Sequence, residues 1–263
     1  MLKKKEKMFH KNHTNKAIYS ILFTLFCFST TNTHWYSKFD PQKAKIFLKQ
    51  FIEKDDLVFD VGANIGNKTD LYLQCGAKVI CFEPQEKCLY HLYKKYENNS
   101  NVVIISKGLS DKPGHVDFFP CNEVTTIATC SRDWTTDGRF VQQGYSWNKP
   151  IKIEVTTLDK IIKKYGIPKF CKIDVEGFEY EVLKGLSMPI PYLSFEFTYE
   201  RKLEAKKCLD YLTKLGYKKF NFAVGETSYF QFKQWLSADK LLQKIYSENK
   251  CGDDLWGDIY ARY

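Results

Sequence analysis

Residues 57 to 69, LVFDVGANIGNKT, set the strongest limit on what this 263-residue chain can fold into. Leu57, Val58 and Phe59 read as a buried strand, and Gly62 and Gly66 bracket a tight turn from that strand into a helix. Glycine takes positive φ at no steric cost and lets another group approach the main chain closely. The amides that open the following helix have no partner inside it, so they can meet polar or anionic ligand atoms, with Asp60 at the strand's end facing the same ligand. Two glycines four apart also join strands to helices where nothing binds, so the next unit decides. Lys78 to Phe82 reads as a second strand that ends in Glu83 and Pro84. In a strand-helix-strand unit, an acid about 20 positions beyond the glycine turn can accept hydrogen bonds from both hydroxyls of a ribose. Glu83 holds that place; its alternative is a solvated carboxylate at a strand end.

Four segments, GANIGNKT at 62–69, CFEP at 81–84, LSDKPG at 109–114 and KIDVEGFEYEVLKG at 172–185, stand in this order along the chain. Together they resemble the FkbM-type family of S-adenosylmethionine-dependent methyltransferases, over roughly residues 40 to 263. The resemblance implies an α/β fold: a doubly wound Rossmann-like sheet, mostly parallel with one antiparallel strand, and helices on both faces. It implies S-adenosylmethionine as cofactor, with Gly62, Asn64 and Gly66 at its methionine part beside Asp60, and Glu83 at its ribose. Ser110 and Asp111 lie where contacts to the adenine edge are expected, although Ser-Asp before Lys-Pro-Gly is also ordinary turn chemistry. The acceptor implied is a hydroxyl of a sugar or other secondary metabolite.

The net charge of +9 raises the question of nucleic acid, but residues 1 to 16 hold six lysines against Glu6, which leaves +4 for everything after them. No zinc-finger spacing, RNA-binding aromatic pattern or basic helix accompanies that charge, so nucleic acid is not expected as a partner. Nine cysteines form no Cys-x-x-Cys pair and have no histidine at metal spacing, and Cys81 and Cys171 fall at apolar strand positions as small core residues.

Two parts are expected: a basic segment at 1–36 and a methyltransferase domain at 37–263. In the first, the apolar block 17–29 follows the lysines as in a secretory signal and extends to Tyr36 as a marginal span. A membrane anchor with the domain facing the cytosol is favoured, since S-adenosylmethionine is drawn from the cytosolic pool; a cytoplasmic chain is the alternative. Ala44, Phe47, Leu48 and Phe51 follow helical spacing in a helix from Pro41, with Asp40 as N-cap. Val102 to Ile105 is a third strand, and the LSDKPG turn opens a hairpin through His115 to Phe119. Residues 120 to 150 lack sustained periodicity, and their aromatics suggest a lid facing the substrate, against the alternative of a packed excursion. Ile151–Val155, Lys169–Ile173, Tyr192–Phe197, Lys218–Val224 and Gly257–Tyr263 supply the later strands, with Thr157 capping one intervening helix and another around Trp235–Ile245.

Asp60, Glu83, Asp174 and Glu196 all fall at or near carboxyl ends of expected strands, where doubly wound sheets bind ligands. Unpaired carboxylates are too costly to serve as core packing. Asp174, Glu176 and Glu196 are therefore read as the acceptor end of the site, Asp174 foremost. Either Asp174 or Glu176 could instead cap the helix that begins near Gly177. Oxygen ligands suit magnesium, but no histidine or asparagine stands nearby and the acids are read without a metal. Competing functions are a nicotinamide-dependent oxidoreductase, which would want Gly-x-Gly-x-x-Gly, and a non-catalytic module of the same fold.

Overall fold

The computed structural model describes residues 39–249 and 252–263. The expected segment at residues 17–36 lies outside them. Among the described residues no helix is long and apolar enough to cross a membrane.

The chain opens with helix α1 (Pro41–Leu48), where Asp40 accepts hydrogen bonds from the amides of Gln42 and Lys43, so its N-cap is as the sequence predicts. The helix is shorter than its pattern suggests; Phe51 continues the buried stripe from the turn that follows it. Then come β1 (Leu57–Val61), α2 (Asn67–Gln74), β2 (Lys78–Phe82), α3 (Glu86–Tyr96) and β3 (Val102–Ile105). After an excursion, β7 (Phe170–Ile173), α7 (Glu179–Lys184), β8 (Tyr192–Thr198), α8 (Lys202–Lys214), β9 (Lys219–Val224), α9 (Ala238–Ser247) and β10 (Trp256–Arg262) complete the main sheet. Its strand order is β3-β2-β1-β7-β8-β10-β9, and β10 runs antiparallel to both neighbours. This is the doubly wound, mostly parallel sheet with one antiparallel strand. Its order reverses between β1 and β7, the place where such sheets hold ligands.

Both faces are covered, which is why the central strands are apolar nearly throughout. On one face Val58, Phe170 and Tyr260 pack under Phe47 and Leu48 of α1, Leu71 and Tyr72 of α2 and Leu92 of α3. On the other, Phe59, Cys171, Leu193, Phe195 and Ile259 pack under α6 (Leu158–Tyr165), α7, α8 and α9. Cys81 and Cys171 are wholly buried core residues, and the described cysteines are free.

The excursion between β3 and β7 departs from the expected hairpin. Strands β4 (Gly108–Leu109) and β5 (Gly114–Phe118) do not pair with each other; β6 (Ile151–Thr156) lies between them, parallel to β4 and antiparallel to β5. The turn at 110–113 is local chemistry, and the apolar Ile153 and Val155 win the pairing because they complete a small core with Phe118. Residues 120–150 carry a 3₁₀ turn at Thr125–Ile127 and two short helices, α4 (Arg132–Thr136) and α5 (Arg139–Gln142). Thr157 caps α6 through the Lys160 amide, as predicted. Trp235 lies outside α9, which starts three residues later than the sequence suggests.

Candidate active site

The turn after β1 takes the shape its glycines foretell. Gly62 and Gly66 have φ of 84° and 86°, and Asn64 sits at 49°. What needs the missing Cβ is the protein itself: one at Gly62 would overlap the carbonyl oxygen of Asp174, and one at Gly66 would collide with the Tyr96 ring. The Tyr96 hydroxyl donates to the Gly66 carbonyl at 2.9 Å, fixing the entry to α2. Asp60 lies one residue before the strand's end and is buried, accepting from the Thr69 hydroxyl on α2 at 2.5 Å. Burial pushes its carboxyl up to about 6, against the pull of that hydrogen bond and of Lys172. It fastens the first turn of α2 to β1.

Glu83 follows β2 and is buried, with one carboxylate oxygen accepting from the Asn64 amide and the other from the Gln85 amide, each at 2.8 Å. The acid and the glycine turn are thus brought together as the sequence predicts. Each oxygen retains a second lone pair, the set that two ribose hydroxyls require, so the residues fit the ribose of S-adenosylmethionine. Burial raises the Glu83 carboxyl to about 7 in spite of the two amides. Ser110 and Asp111 are placed elsewhere. The Ser110 amide bonds the Thr156 carbonyl, its hydroxyl bonds Asp111, and its carbonyl backs onto Gly185 at the end of α7. No described hydrogen bond joins either of them to Glu83 or to the glycine turn.

Asp174, Glu176 and Glu196 converge: one carboxylate oxygen from each lies within 4.8 Å of the other two. Such a trio of oxygens could hold a hard divalent cation. Asp174 follows β7 directly, whereas β8 runs two residues past Glu196. Burial and the neighbouring carboxylates push Glu176 and Glu196 well above the usual range. The helix after Gly177 is capped by neither Asp174 nor Glu176 but by Glu179, whose carboxylate accepts from the amides of Val175 and Gly177 at 3.0 and 3.2 Å. Glu176 takes positive φ, 56°, and its carbonyl accepts from the Thr129 hydroxyl at 2.6 Å.

The residue that organises these acids, Lys172, was quoted in the sequence motif without a role. It is buried within β7, and its Nζ lies 2.9 Å from Asp174 and 2.7 Å from Asp258 of β10. Burial opposes its charge, but the two carboxylates outweigh that and hold it protonated far above the usual lysine range. Asp258 pairs in register with Glu196 across β10 and β8, so Asp174, Glu196 and Asp258 end three adjacent strands around one cation. The signal was present in FCKI and WGDIYAR, where one charge interrupts an apolar strand. The 120–150 segment is anchored over the same edge. Arg139 pairs with Glu200 and donates to the Leu255 carbonyl, and the Arg201 guanidinium donates to the Asp133 carbonyl at 2.8 Å.

Burial raises Asp60 to about 6 and Glu83 and Glu179 to about 7, all above their unfolded values. A raised carboxyl favours the folded state while protonated, so this stabilisation is complete below about pH 4 and is lost as pH rises through 6 to 7. The ligand-free chain is therefore expected to melt at a lower temperature at pH 7.5 than at pH 5.5. Thermal unfolding at constant ionic strength checks this, and an equal or higher melting temperature at pH 7.5 counts against the burial of these groups.

A doubly wound sheet with a ribose-binding acid beside its switch-point turn, and acids around the next strand end, defines a nucleoside-cofactor enzyme of the methyltransferase type. Residues 60–219 match the model of the family described as Methyltransferase FkbM domain, and the chain belongs to that family of S-adenosylmethionine-dependent enzymes. It is 29% identical over 146 residues to hexuronic acid methyltransferase AglP of Haloferax volcanii, a match covering 54% of this chain and 55% of that protein. The chain thus spans about half the length of this curated relative. Similar solved structures include precorrin-6y C5,15-methyltransferase from Geobacter metallireducens, at 12% identity and a TM-score of 0.44, covering 89% of this chain and 94% of that one. A TehB-like SAM-dependent methyltransferase from Corynebacterium glutamicum shows 9% identity and a TM-score of 0.44, covering 96% of this chain and all of the other.

Proposed function

We propose that the chain transfers a methyl group from S-adenosylmethionine to a hydroxyl of a sugar. The observation that carries this reading is the juxtaposition of two half-sites, Glu83 with the Gly62–Gly66 turn on one side and Asp174 with Glu176 and Glu196 on the other, in direct backbone contact through Gly62. The similarity to a hexuronic acid methyltransferase favours a glycan or small sugar acceptor over other secondary metabolites. The cofactor supplies an electrophilic methyl carbon on a sulfonium. The acceptor oxygen forms the new bond to that carbon while the carbon–sulfur bond breaks, its electron pair passing to sulfur to give the thioether, and the hydroxyl proton passes to a carboxylate of the acid group. Asp174 is assigned that role because Lys172 holds it in place and the glycine turn lies against its backbone. Positioning of the acceptor in line supplies much of the acceleration.

Calorimetric titration of the full-length chain with S-adenosylmethionine and with NAD separates methyl transfer from hydride transfer and from a non-catalytic module. Binding of S-adenosylmethionine alone is expected. Glu83→Ala should weaken it about tenfold or more, since hydrogen bonds to a charged group are worth roughly 1.5–3 kcal/mol. A folded Glu83→Ala protein with unchanged affinity removes the ribose assignment.

A further inference from the structure

Between α4, the end of β8 and α8 lies a cavity of about 310 Å³, lined by Trp134, Glu179, Glu196, Thr198, Arg201 and Glu204 among others. Trp134 and Thr198 are only 3% and 7% exposed, yet the Trp134 indole Nε1 and the Thr198 hydroxyl have no hydrogen-bond partner, and neither has Arg201 Nε. Six buried side-chain atoms among the described residues are left this way, and half of them belong to residues lining this one cavity. Native proteins rarely bury a polar group unpaired, because it gives up its hydrogen bonds to water for nothing in return. Several in one place point to a ligand that completes them.

We propose that this cavity receives the methyl acceptor and that the acceptor is a polyhydroxylated ring, a glycosyl unit, a reading that rests on the methyl-transfer function above. The donors call for a ligand rich in oxygen acceptors, and Glu196 beside them calls for a hydroxyl that donates. A hydrocarbon would leave every one of these groups unpaired. A compact dianion would face the carboxylates of Glu179, Glu196 and Glu204. Glu196 is also the link to the reacting end, since its carboxylate lies within 4.8 Å of those of Asp174 and Glu176. Trp134 is fixed for recognition rather than free to turn. Its ring packs edge to face with Phe140 at 5.8 Å, carries the Arg201 guanidinium at 5.5 Å, and lies so close to Gly177 that a Cβ there would touch it at 2.9 Å. The 120–150 segment therefore contributes a specificity-determining residue, in keeping with its reading as a lid.

The test uses ¹⁵N-labelled full-length chain saturated with S-adenosylhomocysteine and titrated with methyl α-D-glucopyranoside or methyl β-D-glucuronide. The indole resonance of Trp134 is assigned with Trp134→Phe, which keeps the ring and deletes the N–H. A shift of that resonance with either sugar is expected. Thr198→Val and Arg201→Met should each weaken sugar binding roughly tenfold while leaving the affinity for S-adenosylhomocysteine within about twofold. An indole resonance that neither sugar moves overturns the proposal, as does sugar binding indifferent to both substitutions. If the chain fails to bind S-adenosylhomocysteine, the methyl-transfer reading falls, and the sugar titration on the same sample still decides the cavity.

Discussion

Replacing Lys172 by methionine is expected to cost about 3 kcal/mol or more of stability, because it leaves two carboxylates without their counter-ion. The side chain of Lys172 is 4% exposed and that of Asp258 15%, so water cannot take over its role. Urea denaturation of the wild type and of Lys172→Met at pH 7.5 measures the loss; a difference below about 1 kcal/mol would contradict the pairing. Two further results follow from the same geometry. Adding Asp258→Asn should return part of the lost stability, since the two residues share one interaction. The penalty should also shrink as pH falls, because burial raises the Asp258 carboxyl and protonating it removes the uncompensated charge.

The second large effect is on turnover. Asp174→Asn keeps the shape of the side chain and removes its charge, and with it the ability to take the acceptor's proton. A decrease of about 10²–10⁴-fold in kcat is expected, the range for loss of a positioned acid-base group. Affinity for S-adenosylmethionine should remain within about threefold, since ribose recognition is assigned to Glu83 on a different strand. Single-turnover methylation of the sugar that binds the chain, with calorimetry of the cofactor alongside, separates the two quantities. Normal turnover in a folded Asp174→Asn protein would refute the role. Loss of cofactor affinity alone would move Asp174 into the cofactor pocket.

The sheet was legible because its strands announce themselves by apolar runs of the right length, and the turn after β1 because only glycine suits its φ values. Glu83 was legible for a related reason: strand, helix and strand fix where an acid at the second strand's end must emerge. The excursion was harder. Hairpin pairing between β4 and β5 is the local choice, and nothing near residue 110 reveals that β6, some 40 positions later, comes between them. Ser110 and Asp111 failed to join the cofactor acid for the same reason, since pairing with β6 ties Ser110 to Thr156. Lys172, Asp258 and Glu179 were missed at the level of partners rather than positions. A lone charge in an apolar strand announces a buried pair but not its mate, and the mate of Lys172 on β10 stands 86 residues away. The segment at 17–36 stays where the sequence left it, outside the described residues.

The absent side chain of Gly62 lets the cofactor turn rest directly on the carbonyl of Asp174. Donor and acceptor ends of the site are thereby gauged against each other by main chain alone, with no flexible side chain and no ligand in the measurement. The span a methyl group must cross is thus a property of the scaffold. The lid and the cavity beneath it can change to accept other sugars while that span stays constant, so a family built this way can diversify its acceptors without rebuilding its chemistry.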